Sequence, residues 1–435
     1  MFQESSICFV LPPTNREEHA EFCPIGVGII AAILQKKGHS VRIIDAGGME
    51  TASYWEMLNA VSADVIGIGG TIPQLRNMIV SAKVLRRVNP NAWIFFAGHG
   101  VLFDGNELLL DIADALLLGE GEESVPKLLC QDRYNINFPA GWKWKDTTGT
   151  VRSTGFAPKV DLNKLPKPAW ESFPLENYLK TTLRNRGHTV AHIMTSRGCI
   201  QKCTFCDRTI GGNIVRRRTV EGVLDEMLDL AKQYESWNLR DFYFFDPSFF
   251  SVGQWRTNML HGLRDIGTFT WGCEARIDEV DRDILVRAKD AGCTYVNFGV
   301  ETADDDMLQT LSKNITVRQI ENTFDQCHDL GISPGALLII GIPGETRFHV
   351  EKMKKMLKRI RPTFVNLAIA TPFPKTQFAS EHLSRTLSIP ITEFGDYYPE
   401  RTMFTGLELD PAIVRSELSE FYLTEVNPKG LVNPC

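Results

Sequence analysis

The sequence lacks what would carry a protein into or across a membrane. No apolar stretch reaches the roughly 18 residues that a membrane-crossing helix needs. The opening Met1-Phe2-Gln3-Glu4-Ser5-Ser6 puts no basic segment ahead of the short apolar run Ile7 to Leu11. An excess of positive charge is missing too. Lys and Arg number 47 against 53 Asp and Glu, a net charge of −6, which gives no footprint for nucleic acid or an anionic lipid surface. The ten cysteines do not form a disulfide framework, because seven are scattered along the chain. The expectation is a cytoplasmic protein. At 435 residues, with 43% hydrophobic and 23% charged side chains, it has room for two or more domains and a sizeable core.

The other three cysteines are close together, in Cys199-Ile200-Gln201-Lys202-Cys203-Thr204-Phe205-Cys206. A loop this short can bring three sulfurs onto three corners of one iron–sulfur cluster. A zinc knuckle or a ferredoxin-type site would want a fourth Cys or His nearby. None follows closely, and His192 lies in the strand-like Val190 to Thr195 that leads in. Three ligands leave one position open, which signals chemistry rather than support. This CxxxCxxC run, with an aromatic before its third cysteine, resembles the signature of the radical S-adenosylmethionine (SAM) superfamily. The resemblance implies a [4Fe–4S] cluster on Cys199, Cys203 and Cys206. It also implies SAM on the unique iron, cleaved by electron transfer to a 5′-deoxyadenosyl radical, with flavodoxin or ferredoxin as the electron donor.

Upstream, Ile7–Leu11, Ser40–Ile44, Val65–Ile68, Trp93–Ala97 and Ala115–Leu118 read as strands alternating with helical patterns. Five such strands predict a doubly wound, Rossmann or flavodoxin-like sheet, with its ligand site beyond the strands' carboxyl ends. The loops there carry Pro12-Pro13-Thr14, Cys23-Pro24-Ile25-Gly26, Gly69-Gly70-Thr71-Ile72-Pro73-Gln74, Gly98-His99-Gly100 and Gly119-Glu120-Gly121-Glu122. Together with Lys37-Gly38-His39 and Asp45, they resemble the cobalamin-binding domain that precedes many radical SAM cores. The resemblance implies a corrin held by Thr14, Gly26, Gly70, Thr71, Gln74, Leu75, Gly98, Gly100, Glu120, Gly119 and Gly121, facing the cluster. One departure stands out. The Asp-x-His-x-x-Gly motif that ligates cobalt in cobalamin mutases is absent, and His19 reads as a solvated loop residue. Gln74, Leu75 or Arg76 is then expected near cobalt.

Past residue 135 the pattern changes. Trp142 to Val151 reads as a hairpin, and Val160 to Trp170 as a proline-stiffened linker. From residue 190 strands and helices alternate at the longer spacing of a barrel: Phe242–Phe245, Phe269–Cys273, Tyr295–Val300, Ala336–Ile340 and Val365–Ala370. With the strand before the cysteines this makes six, a partial (β/α)6 barrel with polar residues at the strand C-termini. Family resemblance implies SAM contacts at Asp246, Arg276, Glu301 and Gly341-Ile342-Pro343-Gly344. Arg216-Arg217-Arg218 is expected to be a solvated basic face.

The expected domains are 1–135 for cobalamin, 136–185 as hairpin and linker, 186–375 as the barrel, and 376–435 closing it with possible substrate contacts, Tyr397 and Tyr398 among them. The function implied is methylation of an unactivated carbon of a small-molecule or peptide-derived substrate. One SAM would methylate cobalamin and a second would generate the radical that prepares the substrate for methyl transfer. The alternative on the same assembly is a cyclisation, ring contraction or other rearrangement without methyl transfer. Neither nucleic acid nor membrane is expected as a partner.

Overall fold

The computed structural model describes residues 5–14, 23–47, 49–131, 136–251, 253–397 and 401–433. His19, Tyr398 and the side chain of Tyr397 lie outside the described residues. Two compact units divide the chain: Met1–His188 with Ile389–Asp396, and Thr189–Ser388 with Tyr397–Cys435.

In the first unit β1 (Ser6–Leu11), β2 (Ser40–Asp45), β3 (Val65–Gly69), β4 (Trp93–Ala97) and β5 (Ala115–Leu117) run parallel in the order β2-β1-β3-β4-β5. β1, β3, β4 and β5 are buried along almost their whole length, as expected of parallel strands covered on both faces. Fully buried Val10, Ile66, Ile94 and Leu116 each add about 1.5–3 kcal/mol by leaving water. The helices are α1 (Ile25–Lys36), α2 (Thr51–Asn59), α3 (Leu75–Val88) and α4 (Ser124–Leu129). The strand order reverses direction between β1 and β3. Pro12–Thr14 and Gly70–Thr71 follow those two strands, so both border the crevice where such sheets hold ligands.

The expected linker is instead part of this unit. β6 (Trp142–Lys145) pairs antiparallel with β5, and β7 (Val151–Ser153) with β6, because the short β5 would otherwise leave an open edge. Trp142 is fully buried against Trp93 and Phe95. The proline-bearing stretch lies on α1: Ala169 donates to the Gly28 carbonyl at 3.0 Å, and Phe173 occupies the place a Gly28 side chain would take. Tyr178, on α5 (Leu175–Arg186), donates its hydroxyl to buried Asp45.

Among the described residues the second unit carries seven parallel strands rather than six. They are β8 (Val190–Ile193), β11 (Asp241–Phe244), β12 (Thr270–Ala275), β13 (Cys293–Glu301), β14 (Ser333–Ile340), β15 (Phe364–Ile369) and β16 (Leu431–Asn433), paired in chain order. Between β8 and β11, β9 (Ser196–Arg197) and β10 (Arg216–Arg217) form a short antiparallel ribbon. The tail supplies β16, which pairs with the last barrel strand. α6 (Val220–Gln233), α7 (Gln254–Ile266), α8 (Arg282–Asp290), α9 (Asp305–Thr310), α10 (Val317–Asp329) and α11 (Arg347–Ile360) connect the strands. Val223, Met227 and Ala231 of α6 are buried as their spacing predicts, whereas Leu228 is 46% exposed.

The stretch 376–435 does not act as one closing segment. The helix Pro411–Phe421 packs on β14, β15 and α11. Ile389–Asp396 belongs to the first unit, where Ile391–Glu393 lies against Ile72–Gln74 and α3 and Phe394 is buried.

Candidate active site

The cysteine loop is shaped by backbone contacts along its length. Gly198 turns into it with φ +89°, and a side chain there would lie 2.2 Å from the Ile214 carbonyl. The Cys199 amide donates to Gly212 at 3.2 Å and that of Cys206 to Cys203 at 3.2 Å. Thr204 is held on both sides: its amide donates to Leu311 at 3.1 Å and its carbonyl accepts from Phe378 at 2.9 Å. Phe205, the aromatic of the motif, packs on the apolar cluster of Met307, Leu311, Ile342, Ala370, Phe378 and Phe404. That cluster excludes water beneath the loop. Cys199 and Cys203 are half-buried and Cys206 is exposed.

Although Cys206 is exposed as a whole residue, desolvation of its sulfur pushes the thiol up to about 11, and the neighbouring Cys203 and Cys199 push the same way. Burial likewise raises Cys199. Thiolates at Cys199 and Cys206 are therefore unfavourable here without a cationic partner, so the donor set fits an iron–sulfur cluster. Among the described residues no group of three Cys, His, Asp or Glu converges on one metal ion. A cluster does not require it, since each thiolate binds a different iron.

The strand ends around the loop bring the expected acids and bases to one edge, but engage them with protein. Asp246 is fully enclosed. It accepts from the Thr195 amide at 2.8 Å, the Ser196 amide at 2.8 Å and the Thr195 hydroxyl, all at the head of the cysteine loop. Burial raises its carboxyl, and these donors oppose the rise. Arg276 grips Asp278 with Nε at 2.8 Å and Nη2 at 2.9 Å, and reaches the Cys203 Sγ with Nη1 at 3.5 Å. Glu301, at φ +65°, is paired with buried Lys313. Gly341, at φ +76°, donates its amide to Glu345, while Gly344, at φ +98°, faces open space. Ile342 is wholly buried, so only its backbone is available to a ligand.

The three arginines 216–218 are not a solvated face. Arg218 pairs with buried Glu226 at 2.5 Å, Arg217 lies over Trp255 at 4.2 Å and bonds Ser251, and Arg216 donates to Gly211 at 3.2 Å. They fasten the return strand of the loop.

Lys313 is missed by motif reading, because a lone lysine in a connecting loop carries no spacing signal. A second group missed is Glu274 with Tyr243 and Asn297. Strand register places them together: Tyr243 pairs with Gly272, and Glu274 with Asn297. Asn297 donates to the Tyr243 hydroxyl at 3.1 Å. Burial pushes Glu274 up to about 7, against a hydrogen bond with Tyr243. The period-two alternation of β12, with Trp271, Cys273 and Ala275 buried on the other face, is the signal that could have found Glu274.

In the first unit the glycine loops are present, with mixed roles. A side chain on Gly98 (φ +87°) would meet the Gly70 carbonyl at 2.5 Å, and one on Gly100 would meet Met78 at 2.7 Å. Gly100 donates to the Gly70 carbonyl at 2.8 Å. These three glycines let the loops after β3 and β4 pack together. Gly119 (φ +108°) adjoins Ala157, and Gly121 packs near Ile30 and Leu117. Glu120 is buried and accepts from the Val160 amide at 2.8 Å, so it braces the proline-bearing stretch. Gln74 accepts from the Thr71 amide at 2.9 Å and donates to the Pro12 carbonyl at 2.6 Å, tying the two switch-point loops together. Leu75 is completely buried, on the face of α3 that packs into the core. Arg76 is exposed, as are Thr14 and Thr71. A side chain on Gly26 would meet nothing within 4 Å. The open backbone at Gly26, with exposed Thr14 and Thr71, fits a broad planar ligand resting on this edge.

A flavodoxin-ordered sheet followed by a partial parallel barrel with an open three-thiolate loop at its strand ends defines an iron–sulfur enzyme of the α/β class. The B12 binding domain family matches residues 19–129, and the Radical SAM superfamily matches 193–357. An uncharacterized methyltransferase of Pyrococcus horikoshii is 26% identical over 98% of this chain and 94% of its own. The anaerobic magnesium-protoporphyrin IX monomethyl ester cyclase of Rubrivivax gelatinosus is 26% identical over 82% of this chain and 66% of its own. The solved structure of the radical SAM methyltransferase TsrM from Kitasatospora setae, with cobalamin and a [4Fe–4S] cluster bound, shares the fold. Its TM-score is 0.69 at 18% identity, covering 87% of this chain and 77% of that one. The chain belongs to the cobalamin-dependent radical SAM enzymes.

Proposed function

We propose that this enzyme is a methyltransferase acting on an unactivated carbon of a small-molecule or peptide-derived substrate, with a [4Fe–4S] cluster, SAM and cobalamin as its cofactors. The observation that carries the reading is the three-thiolate loop in one chain with a flavodoxin-ordered sheet whose switch-point edge is open at Gly26, Thr14 and Thr71. The methyltransferase relative that aligns along nearly the whole chain supports it.

When bound, the cluster and SAM supply the radical chemistry and cobalamin the methyl carrier. Cys199, Cys203 and Cys206 would hold the iron. Asp246 fixes the entry to their loop, and Phe205 with its apolar neighbours keeps water from beneath it. Backbone at Gly341 and Gly344, together with Glu301, borders the expected SAM site. The exposed edge from Thr14 to Thr71 would bear the corrin, with Gln74 holding that edge together. A flavodoxin or ferredoxin is the proposed electron donor.

Anaerobic reconstitution with iron, sulfide and hydroxocobalamin tests this. The expected results are corrin absorbance that survives gel filtration and 5′-deoxyadenosine from SAM and dithionite, the latter lost in Cys203→Ala. A protein that retains no corrin sinks the methyltransferase reading. Resemblance to a cyclase favours the second reading, a cyclisation or rearrangement without methyl transfer. SAM labelled in its methyl group separates the two, because only the methyltransferase puts label into product.

A further inference from the structure

We infer that Arg276 is a positioning residue for Cys203: it donates to this cluster ligand's sulfur and makes the cluster easier to reduce. The inference rests on the cluster reading above. Arg276 is almost completely buried, its side chain 6% exposed, and its planar fork is oriented from three sides. Nε and Nη2 hold the two oxygens of Asp278 at 2.8 and 2.9 Å, and Nη2 also donates to the Lys313 carbonyl at 2.8 Å. That leaves Nη1, which points at the Cys203 sulfur at 3.5 Å. A guanidinium offers five N–H donors in a rigid plane. With Nε and Nη2 committed, the direction of Nη1 is decided by the others.

The carbonyl that completes this clamp is itself held in place. Ser312 and Asn314, on either side of Lys313, adopt φ +53° and +54°, and the Lys313 ammonium is paired with Glu301 at the end of β13. Gly299 lacks the side chain that would come 2.5 Å from that ammonium. A chain of contacts thus runs from Glu301 through Lys313 and Arg276 to Cys203. It aims one fixed positive charge at one thiolate.

Reduction adds an electron to the cluster and spreads negative charge onto its sulfurs. A buried cationic donor on a ligating sulfur stabilises the reduced form more than the oxidised one, and so raises the reduction potential. Lysine at position 276 keeps the charge but cannot hold Asp278, the Lys313 carbonyl and the sulfur in one plane.

The test is redox potentiometry followed by EPR on the reconstituted enzyme, without substrate. At the potential where wild type is half reduced, Arg276→Gln is expected to show at least a tenfold lower ratio of reduced to oxidised cluster, equivalent to a 59 mV downward shift for one electron. Arg276→Lys should lie between the two. A purely structural role would alter cluster content without moving the midpoint, so an unchanged midpoint in loaded Arg276→Gln overturns the inference. Should that variant load no cluster, wild type carrying 15N-labelled arginine decides. Pulsed EPR of its reduced cluster should detect a 15N coupling, and finding none overturns the inference. Wild type that takes up no cluster at all would defeat the cluster reading itself.

Discussion

Asp246 holds Thr195 from 51 residues away, taking both its amide, at 2.8 Å, and its hydroxyl. The same carboxylate accepts the Ser196 amide, so one acid from the end of β11 fixes the backbone that enters the cysteine loop. Asp246→Ala leaves three buried donors without a partner and is expected to cost about 2–4 kcal/mol. Asp246→Asn keeps the oxygen that both amides use and should cost about 1 kcal/mol or less. Urea unfolding of the two variants measures this. Loss of SAM binding in a stable Asp246→Asn would show that the acid also serves the ligand through its charge.

The glycines after β3 and β4 are required by each other, which separates packing from cofactor binding. Gly98→Ala would place a methyl 2.5 Å from the Gly70 carbonyl on a backbone at φ +87°. A destabilisation of about 2–3 kcal/mol is expected, read as a lower melting temperature of the corrin-free protein. An unchanged melting temperature would rule out the loop-to-loop account.

Gln74 links the two loops at the switch point through Thr71 and the Pro12 carbonyl. Gln74→Ala removes its bond to the Pro12 carbonyl and its cap on Thr71. Stability should fall by about 1–2 kcal/mol, and hydroxocobalamin affinity should weaken, as followed by corrin absorbance. Gln74→Glu keeps the acceptor for Thr71 but sets an oxygen against the Pro12 carbonyl, so it should not restore affinity.

Burial pushes Glu345 from its ordinary 4.5 up to about 7, with donors from Gly341 and Ile342 opposing the rise. Between those values the folded protein keeps a proton that the unfolded chain has released. The stability this group contributes is full below about 4.5 and lost as pH rises through 7. Glu345→Gln removes this dependence. Relative to wild type it should gain on the order of 2 kcal/mol between pH 5 and pH 8, measured by urea unfolding at both values. Parallel pH profiles for the two proteins would refute the assignment.

Much of the fold was legible because parallel strands buried on both faces leave long apolar runs, and all five strands predicted in the first sheet are present there. The hairpin at Trp142–Val151 is legible from its alternation around a polar turn. Its pairing with β5 depends on an edge that exists only once the sheet is built. β16 was missed since Leu431–Asn433 is three residues long, too few to show a period. At the site, the cysteines were read from spacing alone. The burial of Leu75 is set by its helical phase on α3, which a loop reading of Gly69–Gln74 does not supply.

The sequence by itself determined the ligand set, the alternation of strands and helices, and the glycines at the strand ends. Each of these is local: a spacing, a period or a conformation within a few residues. Tertiary structure decided which side chains stay available. Asp246 and Glu120 are engaged by backbone 51 and 40 residues away, Glu301 is paired with Lys313, and Arg276 is aimed at Cys203 across 73 positions. Burial and hydrogen bonding between distant segments fix the direction of a charged group, and no periodicity in the chain records that direction.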